Sequence, residues 1–249
     1  MPPGRVVYLD LDGTLFGPSG SILRDAAGRF TGDGIRALEL LEAAGVPVVL
    51  VSGRSRRRLE AVAQTLGAAG ILPEMGAIDA GYPTGPGETV HDAISRTGIP
   101  GALLASEPGL LPHPLAAGGR EGSHVFLGVV GPGAPDLVAT LSGGGLRLAD
   151  NGHTGPGDAH IFHVLPAAAS KAAAVGRDLA ARGADGAASL AVGDSLQDLG
   201  MGSVVGRVAI VANGAASDPR VAEAADWVTR APFGAGVREA VESWLAGSA

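Results

Sequence analysis

Two aspartates, Asp10 and Asp12, close the apolar run of VVYLDLDGTLFG (Val6–Gly17). Side chains alternate along a strand, so both carboxylates point to one side while Leu9 and Leu11 point to the other. Brought together, two carboxylates repel unless a cation or a shared proton intervenes. With oxygen ligands and no cysteine anywhere in the chain, Mg²⁺ is the natural cation. The competing reading is a chance Asp-x-Asp turn with Asp12-Gly13 as a bend. Other segment ends weaken that reading. VVLV ends in Ser52-Gly53, a hydroxyl followed by a backbone N–H with no side chain in the way, which suits an oxyanion. Lys171 opens a helix, where its ammonium and the helix dipole can both face an anion. AVGD ends in Asp194, and Asp198 lies one turn later. Together these residues offer carboxylates for a metal, and a cation and donors for a phosphate.

The elements that must position them read as follows. Val6–Leu11 is a continuous apolar run ended by Asp12-Gly13, the pattern of a strand covered on both faces. Thr31 or Asp33 caps a helix with Ile35, Leu38 and Leu41 as its stripe, stopped by Gly45. Val46–Val51 is the next strand, followed by a helix carrying Leu59, Val62 and Leu66. GILPEM, ending at Met75, reads as a short third strand. Strand and helix in alternation argue for parallel pairing with right-handed crossovers. From Gly81 to about Ala159 the text turns Gly- and Pro-rich. There HVFLGVVG, LRLAD and AHIFHVLP read as strands and APDLVATL as a short helix. The α/β rhythm then resumes, with a helix over Ser170–Ala181, strands in SLAVGD and RVAIVANG, an Asp218-Pro219 helix start, and a last helix burying Val237, Val241, Trp244 and Leu245. The expectation is a doubly wound, Rossmann-like parallel sheet from residues 1–80 and 161–249. A smaller α+β cap domain, 81–160, is inserted in it.

Composition narrows the function. The net charge of −7 argues against a nucleic-acid footprint. Absence of cysteine excludes disulfides, thiolate zinc and thiol catalysis. No basic segment followed by an apolar run opens the chain, and no apolar stretch is long enough to span a bilayer, so a cytoplasmic protein without membrane contact is expected. The six histidines show no HExxH spacing. Only 4% of residues are aromatic, which argues against a stacking platform and for recognition by charge and hydrogen bonds.

DLDGTL, VSGRS, SKAAAV and GDSLQDLGM resemble, in order, the four motifs of haloacid dehalogenase-type phosphotransferases. An insert between SGR and the lysine motif is similar to the branch with Cof-like sugar phosphatases and mannosyl-phosphoglycerate and trehalose-phosphate phosphatases. PEMGA (73–77) resembles that branch's ENGA, and VANGAASDPRVAEAADWVT resembles its closing segment. The resemblance implies Asp10 as nucleophile, attacking phosphorus to give an aspartyl-phosphate. It implies Asp12 as the acid that protonates the leaving oxygen and the base that then activates water. Mg²⁺ would be held by Asp10, the Asp12 backbone carbonyl and Asp194, with Asp198 acting through water or by orienting a ligand. Ser52, Gly53, Lys171 and, in the closing segment, Asn213 would bind the phosphoryl group, with Arg54 near the substrate. Three departures stand out: Met75 where the branch has Asn, Gln197 in the place of Asn in GDxxND, and Asn213 before Gly214 rather than after it. Within the insert, His113, Arg120, His124, Asn151 and His153 are candidates for substrate selection, and Tyr82 is the aromatic nearest to it.

The expected activity is hydrolysis of a small phosphorylated metabolite, a sugar phosphate or glycosyl-phosphoglycerate, by a monomer or homodimer. The alternatives are a phosphosugar mutase of the same superfamily, a phosphoglycolate phosphatase, and a non-catalytic phospho-ligand-binding protein.

Overall fold

The computed structural model describes residues 4–114, 119–153 and 159–247 of the chain. In chain order, the first elements are β1 (Val7–Leu9), α1 (Asp33–Ala43), β2 (Val48–Val51), α2 (Arg56–Leu66) and β3 (Gly70–Leu72). Next come α3 (Val90–Arg96), α4 (Ile99–Ser106), β4 (Leu110–Pro112), β5 (His124–Gly128), α5 (Ala134–Leu141), β6 (Leu146–His153) and β7 (His160–Pro166). The chain ends with α6 (Lys171–Arg182), β8 (Leu190–Gly193), α7 (Leu196–Leu199), β9 (Arg207–Ile210), α8 (Ala212–Ser217), α9 (Pro219–Ala224) and α10 (Phe233–Gly247).

Contacts divide the chain into two units, one of residues 1–52, 59–72 and 171–249, the other of 53–58 and 73–170. The divisions fall at 72/73 and 170/171 rather than near 80 and 160. β7 pairs with β5 and β6, and so belongs wholly to the second unit.

The first unit is a parallel sheet in the order β3-β2-β1-β8-β9. Val7 and Leu9 pair with Val48 and Leu50 on one side and with Leu190 and Val192 on the other. Alternation then sends these apolar side chains to two layers. Val7, Leu9, Leu50 and Val192 pack with Ala37 and Leu41 of α1, Leu59 of α2, and Val237, Val241 and Trp244 of α10. Tyr8, Val49, Val51 and Ala191 pack with Val175 and Leu179 of α6 on the opposite layer. A strand buried on both faces needs no polar position, which is why each central strand reads as an unbroken apolar run.

Two local expectations are corrected. In α1 the buried residues are Gly34, Ala37 and Leu41, while Ile35 is exposed. The cause is a close approach of α10. A Cβ on Gly234 would lie 2.9 Å from the Gly34 nitrogen, so the glycine face, not the bulkier one, turns inward. The third strand ends at Leu72 instead of reaching Met75, because Glu74 and Met75 take left-handed conformations (φ 50° and 55°) that no strand accepts.

The second unit is an antiparallel sheet in the order β4-β5-β7-β6. Ile94 of α3, Leu103 of α4 and Val138 of α5 cover one face, over Leu110, Phe126, Leu146, Phe162 and Val164. α3, α4 and β4 are elements that the Gly- and Pro-rich text of the insert concealed. The α+β character expected for this region holds. Among the described residues, no helix is long and apolar enough to cross a membrane.

Candidate active site

The carboxyl end of the first unit's sheet gathers the predicted residues from three segments. Asp10 directly follows β1, and its N–H still donates to the Val192 carbonyl of β8 (3.0 Å), so the strand pairing fixes where the side chain starts. Lys171, the first residue of α6 and almost wholly buried, donates from Nζ to Asp10 Oδ1 and to Asp198 Oδ1, both at 2.7 Å. Asp198 lies in the first turn of α7, where a capping box with Ser195 holds it. Its Oδ2 accepts from the Asp194 N–H (3.2 Å), the Ser195 N–H (3.1 Å) and the Ser195 hydroxyl (2.5 Å). The Thr14 hydroxyl donates to Asp194 Oδ1 at 3.4 Å.

Glycines leave the room these carboxylates occupy. A Cβ on Gly13 would collide with the Asp194 carboxylate, one on Gly193 with the Asp198 side chain, and one on Gly214 with the Asp194 backbone carbonyl. Gly13 is also left-handed (φ 88°), a conformation that favours glycine.

Oxygen atoms of Asp10, Asp194 and Asp198 lie within 4.8 Å of one another, and this is the one group of three or more His or acidic side chains among the described residues with such spacing. Three carboxylates and one ammonium leave a net charge of −2 in a buried place. Burial pushes the Asp10 carboxyl up to about 7; the Lys171 ammonium pulls against that shift, while the Asp198 and Asp12 carboxylates reinforce it. Burial likewise holds Asp194 well above the ordinary range, helped by the charges of Asp10 and Asp198. For Lys171 burial disfavours the charge, but the Asp10 and Asp198 carboxylates outweigh it and raise its pKa. A dication is the ligand that removes this excess of negative charge, and an all-oxygen donor set fits Mg²⁺.

The remaining predicted residues fall differently. Asp12 is exposed, in a turn where it bridges to Phe16, and its carboxyl is not part of the three-carboxylate group. Ser52 is buried at the end of β2, beside β1 in the sheet, with its N–H on the Leu72 carbonyl. Gly53 and Arg54 belong to the second unit. There the Gly53 carbonyl accepts from both terminal nitrogens of Arg120 (3.2 and 3.1 Å), and the Arg54 carbonyl accepts from the Glu74 N–H. Asn213, expected on the phosphate, has its carboxamide on two backbone groups. Its Nδ2 donates to the Gly13 carbonyl at 2.7 Å, and its Oδ1 accepts from the Phe233 N–H at 2.9 Å, so its carboxamide fastens the chain to itself.

In the second unit, Glu74 is fully buried and accepts from the N–H groups of Glu121 and Gly122 and from the Ser123 hydroxyl, with Arg120 3.4 Å away. A Cβ on Gly53 would come within 2.9 Å of Asn151 Nδ2. The rings of His91 and His124 stack at 4.0 Å, and burial followed by the charge of His91 takes His124 down to about 4. Burial, then Arg120 and Arg58, lowers His113. The side chain of His153 lies outside the described residues. Sequence reasoning assigned no role to Thr14, Ser195 or Glu74. Only Ser195 carried a legible signal, the Ser-x-x-Asp spacing of a capping box.

No family model matches the chain. A phosphoglycolate phosphatase of Methanococcoides burtonii is 28% identical over 242 residues, covering 96% of this chain and 95% of that protein. A haloacid dehalogenase-like hydrolase of Bacteroides thetaiotaomicron shares the fold with a TM-score of 0.66 at 19% identity, over 96% of this chain and 99% of that one. The sucrose-phosphatase of Synechocystis, solved with sucrose and phosphate, does so with a TM-score of 0.65 at 17% identity, over 98% of each chain. The chain thus shares its fold with a haloacid dehalogenase-like hydrolase and a sucrose-phosphatase. A second phosphoglycolate phosphatase, of Aeropyrum pernix, is 28% identical over 247 residues, covering 98% of this chain and 95% of that protein.

Proposed function

We propose that the chain is a Mg²⁺-dependent phosphatase that hydrolyses 2-phosphoglycolate, or a close phosphorylated acid, through an aspartyl-phosphate on Asp10. The observation that carries this reading is the group of three carboxylates in which the two buried members, Asp10 and Asp198, share one ammonium, Lys171. The substrate follows from the phosphoglycolate phosphatase that aligns with the chain along nearly its whole length. Sugar phosphates, the sequence expectation, are the competing substrates.

Asp10, Asp194 and the Asp12 carbonyl would hold the metal, with Asp198 behind them. Bound there, Mg²⁺ supplies charge neutralisation for the phosphoryl oxygens. An Asp10 carboxylate oxygen bonds to phosphorus as the ester bond breaks, and Asp12 gives its proton to the departing alkoxide. Asp12 then takes a proton from water, whose oxygen bonds to phosphorus and frees Asp10 and inorganic phosphate. The exposure of Asp12 suits both roles, because it must reach leaving group and water in turn. Lys171 keeps the Asp10 oxygens oriented and has a third N–H for a phosphoryl oxygen. Choice of substrate is assigned to the second unit.

The test is phosphate release from 2-phosphoglycolate and a panel of sugar phosphates, with and without Mg²⁺. Fast, Mg²⁺-dependent release from 2-phosphoglycolate is expected, and Asp12→Asn is expected to lose about 10²–10⁴-fold in turnover. A preference for a sugar phosphate would overturn the substrate. Isomerisation of a phosphosugar without free phosphate would overturn hydrolysis in favour of a mutase.

A further inference from the structure

The turn that carries Asp12 is closed largely by its own backbone. Phe16 N–H and Thr14 N–H donate to the Leu11 carbonyl, and Gly13 N–H donates to Phe16. The Gly13 carbonyl, one residue beyond Asp12, points out of the turn and meets Asn213 Nδ2 at 2.7 Å. The other end of the same carboxamide accepts from the N–H of Phe233, the left-handed first residue of α10 (φ 50°). A helix's first N–H groups have no partner within the helix, so Asn213 satisfies one of them while it holds the turn. Its neighbour Gly214 lies so close to the Asp194 carbonyl that no side chain fits between. The Asn213-Gly214 pair thus touches the Asp12 turn, the Asp194 loop and the start of α10 at once.

Asp12 is exposed, and the backbone of the turn sets where its side chain starts. We infer that Asn213 is a positioning residue that sets the Asp12 carboxyl by holding the Gly13 carbonyl. This rests on the acid/base role proposed for Asp12. The site demands a donor toward Gly13 and an acceptor toward Phe233, and a carboxamide supplies both. Asn213→Asp keeps the size and the acceptor for Phe233 but sets a carboxylate oxygen against the Gly13 carbonyl, so it breaks one of the two bonds selectively.

The experiment compares kcat/KM on two phosphate monoesters in wild type, Asn213→Asp, Asp12→Asn and the double variant. One is 2-phosphoglycolate, whose alkoxide must be protonated as it leaves. The other is p-nitrophenyl phosphate, whose leaving group departs as an anion. Asn213→Asp is expected to lose about 10–10²-fold on the alkyl ester, the size of effect that a small misplacement produces, and little on the aryl ester. On an Asp12→Asn background it should cost nothing further. Hydrogen exchange in the 10–17 segment should quicken in Asn213→Asp, while the Phe233 amide stays protected. Equal losses on both esters would place Asn213 on the phosphoryl group, and losses that multiply with Asp12→Asn would place it outside the Asp12 turn; either overturns the inference, as does unaltered exchange. Wild type that cleaves neither ester removes the phosphatase reading itself, and the inference with it.

Discussion

Two buried acidic centres, one in each unit, differ in how their charge is balanced. Glu74 in the second unit has one carboxylate, three hydrogen-bond donors and the Arg120 guanidinium beside it. Every lone pair of consequence is answered, and the neighbourhood is close to neutral. Asp10, Asp194 and Asp198 in the first unit lie together with a single ammonium, Lys171, which pairs with Asp10 and Asp198. A fold that can neutralise a buried carboxylate as fully as it does Glu74 leaves the Asp10 centre in deficit. The contrast separates a centre built to hold the chain together from one built to receive something positive and to react.

The same kind of substitution should therefore have opposite consequences at the two places. Asp10→Asn should lower turnover by roughly 10⁴-fold or more, as removal of a nucleophile does, while the circular dichroism and the cooperativity of unfolding are retained. Glu74→Ala should do the reverse in kind. It leaves Arg120 and three donors buried without their acceptor, at a cost of about 3–5 kcal/mol read from urea unfolding. A Glu74→Ala protein as stable as wild type, or an Asp10→Asn protein that turns over normally, would erase the distinction.

A smaller effect concerns protons. Burial and the neighbouring carboxylates hold Asp10 up to about 7 against its ordinary 3.8, despite the pull of Lys171. Between those values the folded chain keeps a proton that the unfolded chain has lost, so stability falls as pH rises through that window. Without metal, the wild-type midpoint should fall relative to that of Asp10→Asn between about pH 4 and pH 7. A constant difference would show that the deficit at this centre is not felt.

How far each centre was legible in the sequence follows from the same contrast. Asp10, Ser52, Lys171 and Asp194 stand where apolar runs or helices begin or end, and such switches are visible along a chain. Asp10 and Asp194 follow the adjacent strands β1 and β8, and Lys171 opens the helix that leads into β8, so the parallel topology brings all three to one end of the sheet. Glu74 sits in a stretch that reads as strand, and its left-handed turn begins at Glu74 and Met75, two non-glycine residues, before Gly76 completes it. Asn213 shows why similarity of motif is a weaker guide than geometry. Its two partners lie 200 and 20 residues away, so its role as a fastener has no signature of spacing. α3 and α4 are only seven and eight residues long, too short for a clear helical period, although Thr89 and Asp92 form a capping box at the start of α3.

The claim that the Asp10 centre is short of positive charge is tested most directly by calorimetric titration of Mg²⁺ into the metal-free protein, wild type beside Asp194→Asn. One equivalent should bind to wild type and raise its unfolding midpoint, and the variant, with one carboxylate fewer, should bind far more weakly. Failure of wild type to bind Mg²⁺, or equal binding by Asp194→Asn, would contradict the account.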